Sequence, residues 1–174
     1  MATVPALLDV LNEEELAVFR AFSRAARALF VQFDRDLQRD AGLSRSYFEI
    51  LWRLHAAPDH TLRMSELAAV TGSQPSALTH AITRLEAEHK VRRELCAEDR
   101  RGWNAVITTE GERALALAAP FYAASVRRHF LEPLSPAEQS QVRRIGETLL
   151  EALDEAVLAD QSVATEPRKA EVSP

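Results

Sequence analysis

The sequence is poor in cysteine and glycine, and it has no long apolar run. Its single cysteine, Cys96, excludes an internal disulfide framework and fits a reducing compartment. Five glycines among 174 residues, with abundant Ala, Leu, Glu and Arg, are typical of a helical protein. No segment approaches the length of a membrane span, and the N-terminus lacks the pattern of a secretory signal. These absences predict a cytoplasmic protein that does not bind membranes.

Catalytic and metal-binding motifs are missing as well. The sequence contains no Gly-rich phosphate loop, no HExxH motif and no recognisable nucleophile motif. Its five histidines and one cysteine are scattered, without the spacing of a structural zinc site. We therefore expect no enzyme, no metal and no cofactor.

Positive charge is in the minority, with 21 Lys and Arg against 26 Asp and Glu, and the resulting net charge of −5 has the wrong sign for a generic nucleic-acid binder. The middle of the chain differs modestly, because residues 63–101 carry seven Lys and Arg against six Asp and Glu. Any affinity for DNA must therefore come from individually placed arginines and from doubling of the surface in a dimer.

The N-terminal part predicts two helices. Asn12 before three glutamates is a typical N-cap, and apolar residues then recur at steps of three and four as far as Leu37. This pattern predicts one helix of about 25 residues that ends at Gly42. Ser44 caps the next helix, which carries an apolar stripe and stops at Pro58. The apolar stripe of the first helix is too long to be buried by the shorter second helix alone, so we expect a second chain to pack against it. The two stripes contain Phe19, Phe22, Ala26, Leu29, Phe30, Phe33 and Leu37, then Phe48, Leu51 and Leu54.

Residues 65–89 have the pattern of a helix-turn-helix. Ser65 caps a short helix, Gly72 allows a tight turn with positive φ, and Ser73 caps a second helix with Pro75 in its first turn. Apolar spacing buries one face of this second helix, at Leu78, Ile82 and Leu85. The other faces carry small polar residues that suit a major groove, although a helical hairpin with a solvated polar face has the same spacing. The candidate DNA contacts on it are Ser73, Gln74, Ser76, Ala77, Thr79, His80, Thr83 and Arg84.

The next segment predicts a β-hairpin wing. VRREL and WNAVIT have strand character and are joined by a charged loop that closes on Gly102. At its tip we expect Arg101 to enter a minor groove, with Asp99 holding its guanidinium. Arg92, Arg93 and Arg100 are candidate phosphate contacts. A solvated charged loop is the alternative interpretation of the tip.

Two further helices are predicted after the wing. Thr109 with Glu112 and Ser135 with Glu138 form capping boxes, and Pro120 should kink the first helix without ending it. The second helix carries an apolar stripe of its own. From residue 161 the periodicity is lost, which indicates a frayed tail.

In order and spacing, RMSELA, LTHAITRLE, VRREL, EDRRG and AVITTEG resemble the MarR family of bacterial winged-helix transcriptional regulators. The D-x-R of the family's wing falls on Asp99 and Arg101, and its T-x-x-G on Thr108 and Gly111. The resemblance implies an obligate homodimer that binds a palindromic operator in double-stranded DNA. It also implies release by a small, often aromatic ligand, or by thiol oxidation in some branches. Where relatives usually have Gly-Leu before the first wing strand, this chain has His89-Lys90.

The predicted fold is mainly α with a small β-hairpin wing: a winged helix-turn-helix lobe with long dimerisation helices at both ends. Residues 1–42 form the N-terminal dimerisation helix, and residues 43–108 form the DNA-binding lobe. Residues 109–160 form the C-terminal dimerisation helices, and residues 161–174 form a flexible tail.

The expected ligand site is the cleft that the family places between the helical base and each lobe. Trp52 and His55 lie one turn apart, off the buried stripe of their helix, and are its candidate residues. Packing against a partner helix would explain them equally well.

Two other functions stay open. The chain can be a non-enzymatic helical dimer that acts as a ligand- or protein-binding scaffold. It can also be a redox sensor through Cys96, which lies near Arg92 and Arg93, although the thiol-sensing branch usually has its cysteine in the first helix.

Overall fold

The computed structural model describes residues 10–96 and 102–165, with side chains as far as residue 154. The chain divides after residue 130 into two compact units. Within the described residues, no helix is long and apolar enough to cross a membrane. The predicted fold class, mainly helical with a small wing, is confirmed.

The first helix, α1, spans Glu13–Ala41, and its 29 residues fill the whole interval between Asn12 and Gly42, for which a length of about 25 was expected. The predicted cap is present: Asn12 accepts a hydrogen bond from the Glu15 backbone, and the Glu15 carboxylate accepts one from the Asn12 backbone. Gly42 ends the helix in the left-handed region, with φ of 64°. Both predicted boundaries of α1 are confirmed.

The second helix, α2, spans Arg45–Ala56 and begins at Ser44, as predicted. A short 3-10 turn, Pro58–His60, follows. Both Asp59 and His60 take positive φ, 51° and 56°, which non-glycine residues adopt rarely. The turn redirects the chain into a three-residue strand, β1, at Thr61–Arg63.

The helix-turn-helix consists of α3, Met64–Thr71, and α4, Pro75–Ala87. Gly72 lies between them with φ of 60°, as the turn requires. Both predicted caps are wrong by one or two residues. Arg63 precedes α3, and its backbone N–H donates to the Glu66 carboxylate. Gln74 precedes α4, because Pro75 is pre-organised for the first helical position.

The wing is a three-stranded antiparallel sheet. Strand β2, Val91–Leu95, and strand β3, Trp103–Ile107, form the predicted hairpin, with Val91 opposite Ile107. Strand β1 was not predicted; it pairs with the other edge of β3 and gives the order β1-β3-β2. Three residues are too few to show the alternation that identifies a strand.

His89 occupies the left-handed position that ends α4, with φ of 57°. The backbone N–H of Lys90 bonds to the Leu85 carbonyl, and that of His89 bonds to the Glu86 carbonyl. These two bonds form a Schellman motif, in which glycine is the usual residue. The departure from Gly-Leu therefore places a side chain in a strained backbone conformation.

Replacing His89 by glycine should raise the free energy of unfolding by about 0.5–1 kcal/mol, because glycine adopts positive φ without steric cost. Denaturant unfolding at a fixed protein concentration measures the change. His80→Gly is the matched control, since the same substitution inside α4 should destabilise the protein by about 1 kcal/mol. A less stable H89G protein would contradict the expectation.

Helix α5 spans Thr109–Val126 and starts one residue after its cap, Thr108, whose hydroxyl accepts from the Gly111 backbone. The predicted capping box at Thr109 is therefore wrong. Thr108 also donates its hydroxyl to the His89 carbonyl at 2.6 Å and its backbone N–H to the Lys90 carbonyl at 3.1 Å. The start of α5 is thus fastened to the end of α4.

Helix α5 continues through Pro120, as predicted, and passes into a π-helical turn at Arg127–Leu131. In the second unit, α6 spans Pro136–Thr165 and begins with the predicted capping box of Ser135 and Glu138. The helix extends five residues into the segment predicted as a tail. Its sequence from residue 155 to residue 165 contains no glycine or proline, and its alanines and leucine favour continuation.

Helix α2 lies at the centre of the first unit. Its predicted stripe is buried, and it shares one continuous core with α3, α4, the sheet and the inner faces of α1 and α5. The side chains with least exposure include Leu37, Leu51, Leu54, Leu67, Ile82 and Leu85. This core holds the helix-turn-helix and the base of the wing in fixed positions.

Candidate nucleic-acid interface and ligand cavity

Helix α4 is anchored by one face and open on the others. Leu78, Ile82 and Leu85 are almost fully buried, as the spacing predicts. Most of the predicted DNA contacts on this helix are exposed, namely Gln74, Ser76, Ala77, Thr79, His80, Thr83 and Arg84. The helix can therefore enter a DNA groove with these side chains facing the bases.

The N-terminus of α4 has no side-chain cap. The backbone N–H groups of Ser76 and Ala77 are in its first turn, where helices bind anions, and Pro75 has none to contribute. Ser73, predicted as the cap, is half-buried in the preceding turn, where its hydroxyl accepts from Thr71. Ser73 is thus less accessible to DNA than the exposed residues after it.

The candidate arginines differ in the burial of their side chains and in their ion-pair partners. Arg84 is 3.1 Å from Glu88, and Arg92 is 2.7 Å from Glu94, both on exposed side chains. Exposed ion pairs contribute little free energy, so phosphate can replace the carboxylate. Arg93 is partly buried, pairs with Glu86 and donates to Thr83. Arg93 therefore joins β2 to α4 and is a poorer phosphate contact than predicted.

The predicted tip residues Asp99, Arg100 and Arg101 lie outside the described residues. Below them, Leu95 and Trp103 stand opposite each other across the hairpin, and both are about half exposed. The hairpin thus carries two large apolar side chains next to the loop.

A cavity of about 370 Å³ opens between α2 and α5. Trp52 and His55, the two predicted ligand residues, both line it, together with Phe48, Glu112, Leu115, Ala116, Ala119 and Tyr122. The walls are mainly apolar, and a few polar groups converge on them, as in small-molecule sites. Glu112 and Tyr122 were missed by the sequence analysis, which had assigned Glu112 to a capping box.

The aromatic side chains around this cavity are fixed by one another. The ring centroids of Phe48 and Tyr122 are 4.6 Å apart, and Phe33 packs edge-on against Tyr122 at 5.9 Å. Burial raises the pKa of the Tyr122 hydroxyl, so this group stays protonated and can donate a hydrogen bond. The Tyr122 ring, held by these aromatic contacts, therefore forms a fixed part of the cavity wall.

A buried carboxylate joins α1 to the end of α5. Asp36 is 3% exposed and accepts hydrogen bonds from Ser125 at 2.7 Å and His129 at 2.9 Å. Gln32 and Arg39 donate to its other oxygen. The hydrogen bond from Ser125 contributes most to holding the pKa of Asp36 below its usual value, and burial acts in the opposite direction.

Cys96 is buried at the end of β2, and its thiol donates to the side-chain oxygen of Asn104 at 2.8 Å. An oxidant must reach the sulfur before it can react, and burial hinders this approach. The position therefore gives no support to the redox alternative.

Each unit exposes large apolar side chains on its helices. In α1, Phe19, Phe22 and Phe30 are 50–60% exposed, while Leu16, Phe33 and Leu37 are buried. The exposed apolar residues of α6 include Ile145, Leu149, Leu150 and Leu153. Exposed apolar patches of this kind mark surfaces that bind another protein.

Comparison with known proteins gives strong matches to solved structures. The MarR family model matches residues 43–102. Sco3205, a MarR family transcriptional regulator from Streptomyces coelicolor solved in complex with DNA, is 39% identical. It aligns over 82% of this chain and 93% of its own, with a TM-score of 0.76.

Two further structures are similar. AbsC, a MarR family transcriptional regulator from the same organism, is 37% identical over 83% of this chain and 97% of its own, with a TM-score of 0.75. BpsR of Bordetella bronchiseptica, whose DNA binding is regulated by 6-hydroxynicotinic acid, shares the fold at 20% identity. It covers 76% of this chain and 98% of its own, with a TM-score of 0.68. A search of curated protein sequences found no match.

Proposed function

The chain belongs to the MarR family of transcriptional regulators, and we propose that it acts as a homodimeric repressor that a small ligand releases from a palindromic operator. The proposal places the protein in the cytoplasm, with double-stranded DNA as its partner. In the dimer, residues 43–108 bind DNA, while residues 1–42 and 109–160 form the interface between the chains.

The open face of α4 carries the DNA-binding part of the proposal. Its apolar face is buried, its N-terminus is uncapped, and Gln74, Ser76 and Thr79 are exposed beside it. A glutamine side chain pairs with the major-groove edge of adenine, and free N–H groups at a helix N-terminus bind phosphate. These features together support entry of α4 into a major groove.

The arginines are proposed to bind the DNA backbone and a minor groove. Arg84 and Arg92 are exposed and would exchange their carboxylate partners for phosphates. Arg100 would contact a phosphate beside them. Arg101, at the wing tip, would enter the minor groove, with Asp99 orienting its guanidinium.

The exposed apolar faces of α1 and α6 support the homodimer. Three phenylalanines of α1 are half exposed, and since full burial of such a side chain is worth roughly 1.5–3 kcal/mol, covering the exposed half of each would contribute about half of that. A second copy of the same chain would cover these faces and would place two copies of α4 on one DNA duplex. A dimer of this kind reads two half-sites about one helical turn apart.

Selection of bound fragments from sheared genomic DNA tests the proposal. We expect a palindrome to be enriched, and we expect its affinity for the protein to fall steeply between about 50 and 200 mM salt. Absence of enrichment above random DNA would favour the alternative, a helical dimer that serves as a binding scaffold.

Replacing Arg101 by alanine should weaken binding to the selected operator by at least about tenfold, because an arginine in a minor groove gains from its concentrated negative potential. Fluorescence anisotropy with labelled operator measures the affinity. Sedimentation of the same variant should show an unchanged dimer.

Arg144→Ala is the matched control, since it removes the same charge from an exposed position of α6. We expect this variant to bind the operator as tightly as the parent. Equal affinity of R101A and the parent protein would remove the proposed minor-groove contact.

The cavity beside Trp52 and His55 supports release by an aromatic ligand. Its size, its apolar walls and the polar side chains of His55 and Glu112 suit one ring with a polar substituent. Calorimetry with aromatic carboxylic acids, including 6-hydroxynicotinic acid, tests this role. Heat of binding that disappears in Trp52→Ala, with release of operator by the same acid, would support it. No heat and no release would exclude these acids but leave DNA binding unaffected.

A further inference from the structure

Three side chains of metal-ligand type meet at the mouth of the cavity. His55 comes from the end of α2, His60 from the 3-10 turn, and Glu112 from the first turn of α5. One ligand atom from each lies within 4.8 Å of the other two. Within the residues that the structure describes, no other three His, Cys, Asp or Glu side chains converge in this way.

The distances between the ligand atoms of these side chains are close to the distances between neighbouring ligands around a bound metal ion. Nδ1 of His55 is 3.6 Å from Oε1 of Glu112, and Nε2 of His60 is 3.9 Å from the same oxygen. With zinc-ligand distances of about 2.0–2.1 Å, two ligands of a tetrahedral site lie roughly 3.3 Å apart. All three side chains are about half exposed, so small rotations can close the remaining gap.

The orientation of His60 is set by a hydrogen bond from the other side of its ring. Its Nδ1 lies 2.8 Å from the backbone carbonyl oxygen of His55. A carbonyl only accepts, so Nδ1 carries the hydrogen, and Nε2 of the neutral ring keeps its lone pair. Metal-bound histidines commonly make this second bond to a carbonyl, which fixes the tautomer and the ring.

The backbone also holds His60 in place. Asp59 and His60 both have positive φ, and the two imidazole rings stack with centroids 5.3 Å apart. Each of the two rings has one nitrogen within 4 Å of the same Glu112 oxygen. Two neutral imidazoles and one carboxylate are a set that Zn²⁺ prefers, and three protein ligands leave a coordination position free for water.

We propose that His55, His60 and Glu112 bind a divalent transition metal ion, with Zn²⁺ as the best match. The ion would join the end of α2 and the turn before β1 to the start of α5. Because His55 and Glu112 also line the cavity, the ion would form part of its entrance. The proposal does not depend on operator binding or on the aromatic ligand.

Titration of chelator-treated protein with Zn²⁺ tests the proposal, with a chromophoric chelator as competitor. We expect one Zn²⁺ per chain. His60→Asn and Glu112→Gln should each weaken the affinity at least about tenfold. Asparagine tolerates positive φ, and both side chains are about half exposed, so the variants should keep the parent's circular dichroism and melting temperature.

His89→Gly is the matched control, because it removes an exposed imidazole elsewhere in the chain and should leave zinc affinity unchanged. Loading with Co²⁺ gives a second measurement, since nitrogen and oxygen ligands produce visible d–d bands. We expect these bands in the parent protein and in H89G, and expect to lose them in H60N and E112Q.

Three outcomes would overturn the assignment. The first is that the parent protein neither binds Zn²⁺ nor develops Co²⁺ bands. The second is that H60N and E112Q bind the ion as tightly as the parent protein does. The third is that binding survives in both variants but is lost in His129→Gln, which would place the ion at Asp36 instead.

Discussion

Replacing Gly111 by alanine is expected to lower the free energy of unfolding by about 3 kcal/mol, the upper part of the range for overpacking a closed site. An added Cβ would overlap the backbone carbonyl oxygen of Lys90 and would lie 2.7 Å from Cγ1 of Ile107. Neither a backbone carbonyl nor a buried β3 side chain can move aside easily. Denaturant unfolding at one protein concentration measures the loss, since dimerisation would make stability depend on concentration.

Gly146→Ala is the matched control within α6. Within one chain a Cβ at that position meets no atom within 4 Å, so the same substitution should not strain the fold and should stabilise the helix by up to about 1 kcal/mol. Sedimentation checks that G146A still dimerises, because Gly146 lies on the exposed apolar face of α6. If G111A were as stable as G146A, the close approach of α5 to Lys90 would not be present in solution.

Replacing Asp36 by asparagine should destabilise the protein by about 2–3 kcal/mol at neutral pH, because hydrogen bonds to a buried charged group are among the strongest. The carboxylate accepts four hydrogen bonds, from Gln32, Arg39, Ser125 and His129. An amide of the same shape would turn an NH₂ group toward two of these donors. Denaturant unfolding measures the difference.

The effect of this substitution should depend on pH. The pKa of Asp36 lies below its ordinary value of 3.8, so its contribution to stability is complete above that value and is lost as pH falls through the folded-state pKa. The parent and D36N proteins should therefore converge in acid. Asp40→Asn, which breaks an exposed ion pair with Arg39, is the control and should cost less than about 0.5 kcal/mol. A constant difference between parent and D36N down to pH 2–3 would contradict the assignment.

Periodicity and capping chemistry made most of the helices predictable. Asn12, Gly42, Ser44 and Gly72 stand where the sequence analysis placed them, because each satisfies a local backbone requirement. The caps before α4 and α5 were misplaced where two or more possible capping residues stand close together, and α3 begins after Arg63, which is not a usual capping residue. At Thr108 and Thr109, for example, only the contact with the His89 carbonyl decides which threonine precedes the helix.

The side chains that converge from distant parts of the chain were less predictable. Trp52 and His55 were assigned to a cleft from their helical face and from the family resemblance, and both line the cavity. Asp36 and His129 are 93 positions apart, and Glu112 follows His60 by more than fifty residues. No local pattern connects such residues, because tertiary packing alone brings them together.

Thr108, at the start of α5, donates two hydrogen bonds to the turn after α4, so a tilt of α5 is transmitted to α4. Helix α4 has 13 residues and is therefore about 20 Å long. If α5 tilts by about 10°, the far end of α4 moves by about 3 Å, close to the ~3.4 Å rise of one base pair. If α4 reads DNA as proposed, a molecule bound against α5 would move each α4 of a dimer by about the rise of one base pair while both lobes stay folded.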